Sequence, residues 1–252
     1  MCELFGFSGR TPTDITAVLR TFFSHSITNP HGWGLIYNNG TLIREPVSAN
    51  KSTLLPHILT NMPRQKITIA HIRYATSGSV TEKNCHPFCF TDISGRRWSF
   101  MHNGIIFSED NIDVYKVRQS GSTDSERLFL AFMDNYNAYI YGKPISEKER
   151  FDFVNRFIIR HSPNNKLNLI IFDGEILYVH KNLENTLNFR TSENGILFST
   201  VPLDDEKWTP FPTAQVIAYK NGKKIYAGEH HKGEFIPTPE YIKMTNAMKI
   251  TS

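Results

Sequence analysis

The second residue of the chain is a cysteine, Cys2, and the apolar run Leu4-Phe5-Gly6-Phe7 follows it closely. Removal of Met1, which is usual before a small side chain, would leave this cysteine with a thiol and a free α-amine on one carbon atom. An α-amine has a pKa of roughly 7.7–8.0, so at neutral pH part of it can take the proton of the thiol. The same residue could then be nucleophile and general base. On position alone, a cysteine that merely packs at the start of a strand is the alternative.

An arginine at the end of an apolar strand is the second candidate. In an extended chain, alternate residues of this segment share one face, which holds Ile67, Ile69, His71 and Arg73. A buried guanidinium is costly unless an anion meets it, and its planar fork fits a carboxylate through two hydrogen bonds. Arg73 therefore either binds a ligand carboxylate or pairs with a surface acid.

Two other motifs carry polar groups where we expect the chain to change direction. The predicted strand 97–102 runs into Asn103-Gly104, where a sharp turn would expose a side-chain amide and a backbone N–H. These are the donor types of an oxyanion hole, although a plain hairpin turn would also explain the pair. Asp124 lies near the start of a predicted helix, where the helix dipole favours a carboxylate and where capping alone could account for it.

The segment Asn84-Cys85-His86-Pro87-Phe88-Cys89 combines two cysteines with a histidine. It lacks a second pair at zinc-site spacing, so we expect a loop that positions His86 and Phe88, not a metal site. A thiol-protease pair of Cys85 and His86 is a further alternative. Adjacency in sequence gives no reason for the spatial pairing that this mechanism needs.

Composition and charge place the chain among ordinary globular proteins. It has 252 residues, of which 40% are hydrophobic and 21% charged, and its net charge of +4 is spread along the sequence. No basic run predicts a nucleic-acid groove. Three cysteines do not suggest a disulfide framework, and no stretch reads as a signal peptide or a membrane span. We therefore expect a cytoplasmic protein that binds neither nucleic acid nor membrane.

The periodicity predicts helices first interspersed with strands and then a run of mostly antiparallel strands. Helices are expected to start at Pro12-Thr13-Asp14, to span 52–61, to start at about Gly121 with Ser122 or Thr123 as the cap, and to span 148–160. Strands are expected over 2–8, 35–37, 42–43, 67–73, 97–102, 167–172, 176–180, 187–191, 195–200, 215–219 and 224–227, with Asn-Gly turns at 39–40 and 221–222. This order favours an α+β layered fold in one domain, 1–252, whose tail from about 229 to 252 wraps the surface.

Together and in this order, the motifs resemble the class II glutamine amidotransferases, a branch of the N-terminal-nucleophile hydrolases. The matching segments are Cys2-Glu3-Leu4-Phe5-Gly6, 71–78, 84–88, His102-Asn103-Gly104 and 121–126. The whole length is similar to short, single-domain members that begin Met-Cys-Glu-Leu and contain a Gly-Trp-Gly turn. In that subgroup an acidic residue often precedes the turn, whereas this chain has His31.

The resemblance implies a four-layer αββα sandwich with an amidase site between the ends of the two central sheets. It implies that Cys2 is the nucleophile, that its α-amine is the base, and that Asn103 and the Gly104 N–H form the oxyanion hole. It also implies the substrate-binding residues. Arg73 would hold an α-carboxylate and Asp124 an α-ammonium, as a zwitterion such as glutamine requires, and the remaining pocket positions would be Thr76 and His86.

The implied reaction is hydrolysis of glutamine or another γ-glutamyl amide through a γ-glutamyl thioester on Cys2, without cofactor or metal. Larger members pass the ammonia to a fused synthase domain, for which we expect no residues to remain here. Either a separate synthase subunit accepts the ammonia, or the protein is a stand-alone γ-glutamyl peptidase or amidase. A non-catalytic binding module on the same fold is a third reading. The sequence does not fix the oligomeric state.

Overall fold

The computed structural model describes residues 2–107 and 112–250. The expected removal of Met1 therefore lies outside the described residues. The strands are β1 (Glu3–Thr13), β2 (Trp33–Tyr37), β3 (Thr41–Glu45), β4 (Gln65–Ile72), β5 (Phe88–Thr91), β6 (Arg97–Ile105), β7 (Lys166–Phe172), β8 (Leu177–His180), β9 (Asn188–Ser192), β10 (Gly195–Ser199), β11 (Thr209–Pro210), β12 (Ile217–Lys220) and β13 (Lys223–Ala227). The helices are α1 (Thr16–Ser24), α2 (Leu54–Thr60), α3 (Asp124–Ile140), α4 (Glu147–His161) and α5 (Pro239–Ile250). No helix in this described part of the chain has the length and apolarity to cross a bilayer.

The strands form two sheets in which the described neighbours pair antiparallel. The first sheet has the order β11-β9-β10-β1-β4-β2-β3, with β1 near its centre. The second has the order β13-β12-β8-β7-β6-β5. Side chains alternate along β1, so Phe5 and Phe7 face α1 and α2 while Leu4 faces the second sheet.

Three apolar cores separate four layers. One lies between the first sheet and α1 with α2, and it includes Phe5, Phe22 and Leu55. The middle core lies between the sheets and includes Leu4, Ile69, Met101 and Ile170. The third lies between the second sheet and α3 with α4, and it includes Phe100, Phe132 and Phe157. The architecture is the predicted four-layer αββα sandwich.

The helices and turns follow the sequence signals closely. Helix α2, Leu54–Thr60, lies within the predicted 52–61, and α4, Glu147–His161, extends the predicted 148–160 by one residue at each end. Ser146 begins α4 with a complete capping box, which fixes its start. Asn221 and Gly222 join β12 to β13 with φ of 50° and 68°, the left-handed conformations that a two-residue hairpin turn requires.

The Gly-Trp-Gly motif has a packing cause in this fold. A Cβ atom on Gly32 would lie 2.5 Å from Cys85 Sγ, and one on Gly34 would lie 2.0 Å from the His86 carbonyl oxygen. Both glycines are therefore needed because the segment around Cys85 and His86 crosses directly over β2. Trp33 between them is fully buried and donates from Nε1 to Glu45 at 3.1 Å.

Two sequence expectations need correction. Asn103-Gly104 is not a turn, because β6 continues to Ile105 and pairs with β7 through Asn103–Asn168 and Gly104–Leu167. A Cβ on Gly104 would lie 1.8 Å from the Lys166 carbonyl oxygen, so this glycine serves close strand packing. The tail also carries an unpredicted helix, α5, and it buries Phe235.

Buried histidines predict a specific sensitivity to acid. His180 Nδ1 donates to the Leu167 carbonyl at 2.8 Å, and its Nε2 lies 3.0 Å from Nε2 of His231. Burial lowers the pKa of His180 to about 3, and that of His71 likewise to about 3. Between these values and the unfolded value near 6.5, the unfolded chain binds more protons, so stability falls as pH falls. Each such histidine should lower the free energy of unfolding at pH 5.5 by about 1.4 kcal/mol relative to neutral pH.

Urea unfolding at pH 7.5 and 5.5 measures this effect. Between pH 7.5 and 5.5, the free energy of unfolding should fall less in His180→Gln than in the unmodified chain. His57→Gln is the matched control, because His57 is exposed and its replacement should leave the pH dependence unchanged. An identical pH dependence in the His180→Gln variant and the unmodified chain would contradict the prediction.

Candidate active site

Four strand ends meet at one end of the sandwich. In the first sheet Glu3 pairs with Ile72, so Cys2 and Arg73 lie at neighbouring strand ends. In the second sheet Ile105 pairs with Lys166, which brings the end of β6 to the start of β7. Because Leu4, Ile69 and Met101 face the space between the sheets, Cys2, Arg73 and Asn103 on the same strand faces are directed there too.

The Cys2 thiol is held by the backbone of the next strand's end. Sγ donates to the Tyr74 carbonyl oxygen and accepts from the Tyr74 N–H, each at 3.3 Å. Burial raises the pKa of the Cys2 thiol, while the hydrogen bond to Tyr74 and the charges of Arg73 and Lys166 act in the opposite direction. A thiol with a raised pKa is mostly protonated at neutral pH, so its use as a nucleophile requires a base.

Arg73 is 3% exposed, and its guanidinium lies against a cradle of carbonyl oxygens. It donates to Ser77 at 2.7 Å, to Gly78 at 3.3 Å and to Ser79 at 3.0 Å. No carboxylate of the described residues lies within ion-pair distance of it, so the alternative of a surface ion pair is not seen in this part of the chain. A cation that is buried on neutral carbonyls favours an anionic ligand.

Asn84 ties this carbonyl loop to the helical layer of the other sheet. It is fully buried, and Nδ2 donates to the Ser79 carbonyl at 2.8 Å and to Ser122 Oγ at 3.0 Å. Its Oδ1 accepts from the Ser122 N–H at 2.8 Å. Ser122 is therefore engaged with Asn84, and Thr123 caps α3 by accepting from the Glu126 N–H. The sequence contained Asn84 in a motif but gave no sign of this bridging role.

Asp124 is the first residue of α3 and not its cap. Its Oδ2 accepts from the Ile106 N–H at 2.8 Å, and its Oδ1 accepts from the Ser125 N–H at 2.9 Å. The carboxylate thereby fixes the chain just beyond Gly104. An ionised carboxylate has about four acceptor sites, so these two backbone bonds leave capacity for a ligand cation. Binding of an α-ammonium stays a prediction.

His102 anchors the second sheet next to Asn103. Its Nε2 lies 2.9 Å from the Lys166 carbonyl oxygen and must carry the proton, while Nδ1 lies 2.9 Å from Ser125 Oγ and accepts. Burial lowers the pKa of His102, which is opposed by the charge of Asp124. His102 is thus a neutral link between β6, β7 and α3.

Lys166 also lies at this site, although the sequence did not predict it there. Its Nζ donates to the carbonyl oxygen and to Oδ1 of Asn103, each at 3.2 Å. A lysine at the start of an apolar strand carries no pattern that predicts burial beside the Asn103 amide, because the two residues are 63 positions apart in the sequence.

The two remaining predicted pocket residues lie in different surroundings. Thr76 is exposed in the segment that follows Arg73. His86 is buried, and its ring lies 4.4 Å from the ring of His71 and 4.4 Å from that of Phe88. Neither nitrogen of His86 has a hydrogen-bond partner among the described residues, and burial holds its pKa well below the usual value. Their substrate contacts stay predictions.

His31 contacts the backbone segment that holds the Cys2 thiol. Its Nδ1 accepts from the Ala75 N–H at 3.0 Å, and its ring packs edge-on against Tyr74 with the centroids 5.0 Å apart. The His31 N–H donates to the Arg73 carbonyl at 3.0 Å. Burial lowers the pKa of His31, and the charge of Arg73 lowers it further. This neutral histidine therefore holds the 73–75 segment against Cys2.

Neither a thiol-protease pair nor a metal cluster is formed by the described residues. Cys85 Sγ lies 3.5 Å from the carbonyl oxygens of Glu45 and Thr81, and burial raises its pKa to about 11. No group of three histidines, cysteines, aspartates or glutamates in residues 2–107 and 112–250 is arranged to hold a metal ion.

A cleft of about 630 Å³ lies at the opposite end of the sandwich. Its walls come from the start of β4, the start of β6 and the end of β7, and the charged side chains among them are Arg64, Lys66, Arg97, Glu175 and Lys220. None of the predicted catalytic or substrate-binding residues lines it, so this cleft is separate from the site around Cys2.

Comparison with known proteins gives consistent results. The family model described as "Glutamine amidotransferases class-II" matches residues 1–194. A Haemophilus influenzae protein, named as a still unproven glutamine amidotransferase, is 28% identical over 270 residues, covering 95% of this chain and 89% of its own. The crystal structure of a predicted glutamine amidotransferase from Pseudomonas aeruginosa matches with a TM-score of 0.65 at 21% identity, over 89% of this chain and all of that chain. The glutamine phosphoribosylpyrophosphate amidotransferase of B. subtilis matches with a TM-score of 0.66 at 13% identity, over 92% of this chain and 50% of that chain.

Proposed function

Because the chain belongs to the class II glutamine amidotransferases, we propose that it hydrolyses glutamine or another γ-glutamyl amide with Cys2 as the nucleophile. The observation that carries this proposal is the convergence of Cys2 and Arg73 from one sheet with Asn103 from the other at one end of the sandwich. A thiol, a carboxylate-binding cation and an amide donor are the groups that this reaction needs.

The proposed chemistry begins with Met1 removed. The free α-amine of Cys2 takes the thiol proton, and the thiolate attacks the γ-carbonyl carbon to form a tetrahedral oxyanion. Asn103 Nδ2 and the Gly104 N–H donate to this oxygen. The α-ammonium of Cys2 gives its proton to the leaving nitrogen of the substrate. Ammonia then departs and a γ-glutamyl thioester on Cys2 remains. Water, deprotonated by the same amine, then attacks the thioester, and the products are glutamate and the regenerated thiol.

Substrate recognition is proposed to use the two fixed charges. The carbonyl cradle fixes the Arg73 guanidinium, so a substrate α-carboxylate could bind to its fork without reordering the side chain. Asp124 would accept from the α-ammonium, with Thr76 and His86 as further pocket residues. Two such contacts hold the side-chain amide in one orientation, which favours its approach to Cys2.

The ammonia could either be released by this chain or be delivered to a separate synthase subunit. In the B. subtilis relative the matched region is half of a longer enzyme, and that relative is named for transfer to a second substrate. For this chain we propose release of ammonia by the chain itself as the basal reaction. Delivery to a separate synthase subunit would appear as an increase in glutamine hydrolysis when that partner is present.

Labelling with an electrophilic glutamine analogue tests the nucleophile. Intact mass should show one adduct, and peptide mapping should place it on Cys2, with glutamine hydrolysis lost in parallel. Cys85→Ala is the matched control, since Cys85 has a strongly raised pKa and its loss should leave both labelling and activity intact. An adduct on Cys85 or Cys89 that abolishes activity would refute Cys2 as the nucleophile.

Asp124→Asn separates a ligand role from a backbone role. If Asp124 binds the α-ammonium, this change should lower kcat/KM for glutamine much more than for an analogue that lacks the α-amino group. If Asp124 only accepts from Ile106 and Ser125, both substrates should lose equally. Thr123→Ala is the control: it removes the α3 cap at a cost of roughly 0.5–2 kcal/mol and should not change the ratio of the two substrates.

A further inference from the structure

Lys166 is an unusual residue for its position. It is the first residue of β7 and is only 1% exposed. A buried ammonium is costly unless hydrogen bonds replace its water, and the acceptors that Lys166 contacts include both oxygen atoms of Asn103. The Tyr241 ring of α5 lies 5.9 Å from Nζ on another side. Part of this lysine's electrostatic stabilisation therefore comes from the predicted oxyanion-hole residue.

The contact fixes which way the Asn103 amide faces. An ammonium can donate but cannot accept, so the amide must present Oδ1, and not Nδ2, to Lys166. Nδ2 is then directed away from the lysine. No described residue accepts a hydrogen bond from Nδ2, so this donor is left for a ligand. Without Lys166, the two orientations of the amide would differ much less in energy.

We propose that Lys166 is a positioning residue that orients the Asn103 amide so that Nδ2 donates to the oxyanion on the carbon attacked by Cys2. This inference rests on the proposed function and adds to it a residue that acts through Asn103. The ammonium also polarises the amide it contacts, which strengthens the opposite N–H as a donor.

A different role for Lys166 has to be separated from this one. Its charge also lowers the pKa of the Cys2 thiol, although burial has the larger effect. If stabilising the thiolate were its main function, loss of Lys166 would harm catalysis whether or not Asn103 is present. If it acts by orienting Asn103, loss of Lys166 should matter only while the Asn103 amide is there.

A double-mutant cycle with glutamine as substrate makes this distinction. Lys166→Met should lower kcat per titrated active site by on the order of 10–100-fold, as is typical of losing a group that orients a functional side chain, with KM nearly unchanged. Asn103→Ala should lower kcat by on the order of 10²–10³-fold. The double variant should be no slower than Asn103→Ala alone. Lys181→Met is the control for the general effect of replacing a buried lysine. Lys181 is also only 1% exposed, and its replacement should leave kcat unchanged.

The outcomes are distinct. Losses that multiply in the double variant, or a Lys166→Met variant with normal kcat, would overturn the positioning role. If the unmodified protein hydrolyses no γ-glutamyl amide under any condition, the proposed function fails first, and this inference fails with it.

The pH profile of the unmodified protein tests the same role if Lys166→Met does not fold. Burial lowers the pKa of Lys166 to about 8, so the ammonium is lost above that pH. Among the described residues, the titratable groups that face Lys166 include the Cys2 thiol, neutral His102 and Tyr241, whose pKa burial raises to about 12. The proton that the Cys2 thiol and amine share must reach the leaving nitrogen, so its loss at high pH lowers kcat in every variant. Loss of the Lys166 ammonium should therefore appear as an additional fall in kcat above about pH 8 that is present in the unmodified protein and absent from Asn103→Ala. The same pH profile in both proteins would contradict the proposal.

Discussion

The antiparallel pairing of β1 with β4 is the constraint on which the candidate site depends. Because the strands run in opposite directions, the beginning of one lies beside the end of the other, and Cys2 meets the backbone of Tyr74. A slip of one residue in this register would turn Cys2 from the space between the sheets toward the α1 layer. Five apolar residues of β1, β4 and β10 that face the second sheet resist such a slip: Leu4, Ile67, Ile69, Ile196 and Phe198.

In the second sheet, the antiparallel pairing of β6 with β7 likewise brings the end of one strand to the start of the other. Buried hydrogen bonds connect the two sheets at this end of the sandwich. Asn84 connects the carbonyl cradle of Arg73 to Ser122, just before α3. At the start of α3, Asp124 accepts a hydrogen bond from the Ile106 N–H, just beyond the end of β6. The residues proposed to bind substrate on one sheet are thus connected to the proposed oxyanion donors on the other. Since buried polar groups are costly when a partner is missing, the chain of contacts favours one arrangement of the site.

Much of the fold could be predicted because its signals are local. Helical spacing located α2 and α4, and Asn221-Gly222 located a hairpin turn. The four-layer architecture came from the family resemblance and is confirmed. The predicted turn at Asn103-Gly104 was wrong. This pair usually marks a turn, whereas here the glycine allows the close approach of the Lys166 carbonyl oxygen on β7. That packing requirement arises between strands far apart in the chain, where sequence patterns carry no signal.

The same limit applies to the site. Cys2, Arg73 and Asp124 could be proposed because their chemistry is visible in the residue types. Asn84, His31 and Lys166 could not, since each acts through a partner that only the folded chain supplies. Lys166 in particular looks like an ordinary lysine before a strand until β6 places Asn103 opposite its ammonium.

In the proposed mechanism one residue supplies both the nucleophile and the base, which requires Met1 to be absent from the active protein. Separating molecules with and without Met1, and measuring glutamine hydrolysis in each fraction after intact-mass analysis, tests this claim most directly. We expect all activity to belong to the fraction that begins with Cys2. Full activity in molecules that retain Met1 would contradict it, because their α-amine is no longer on Cys2.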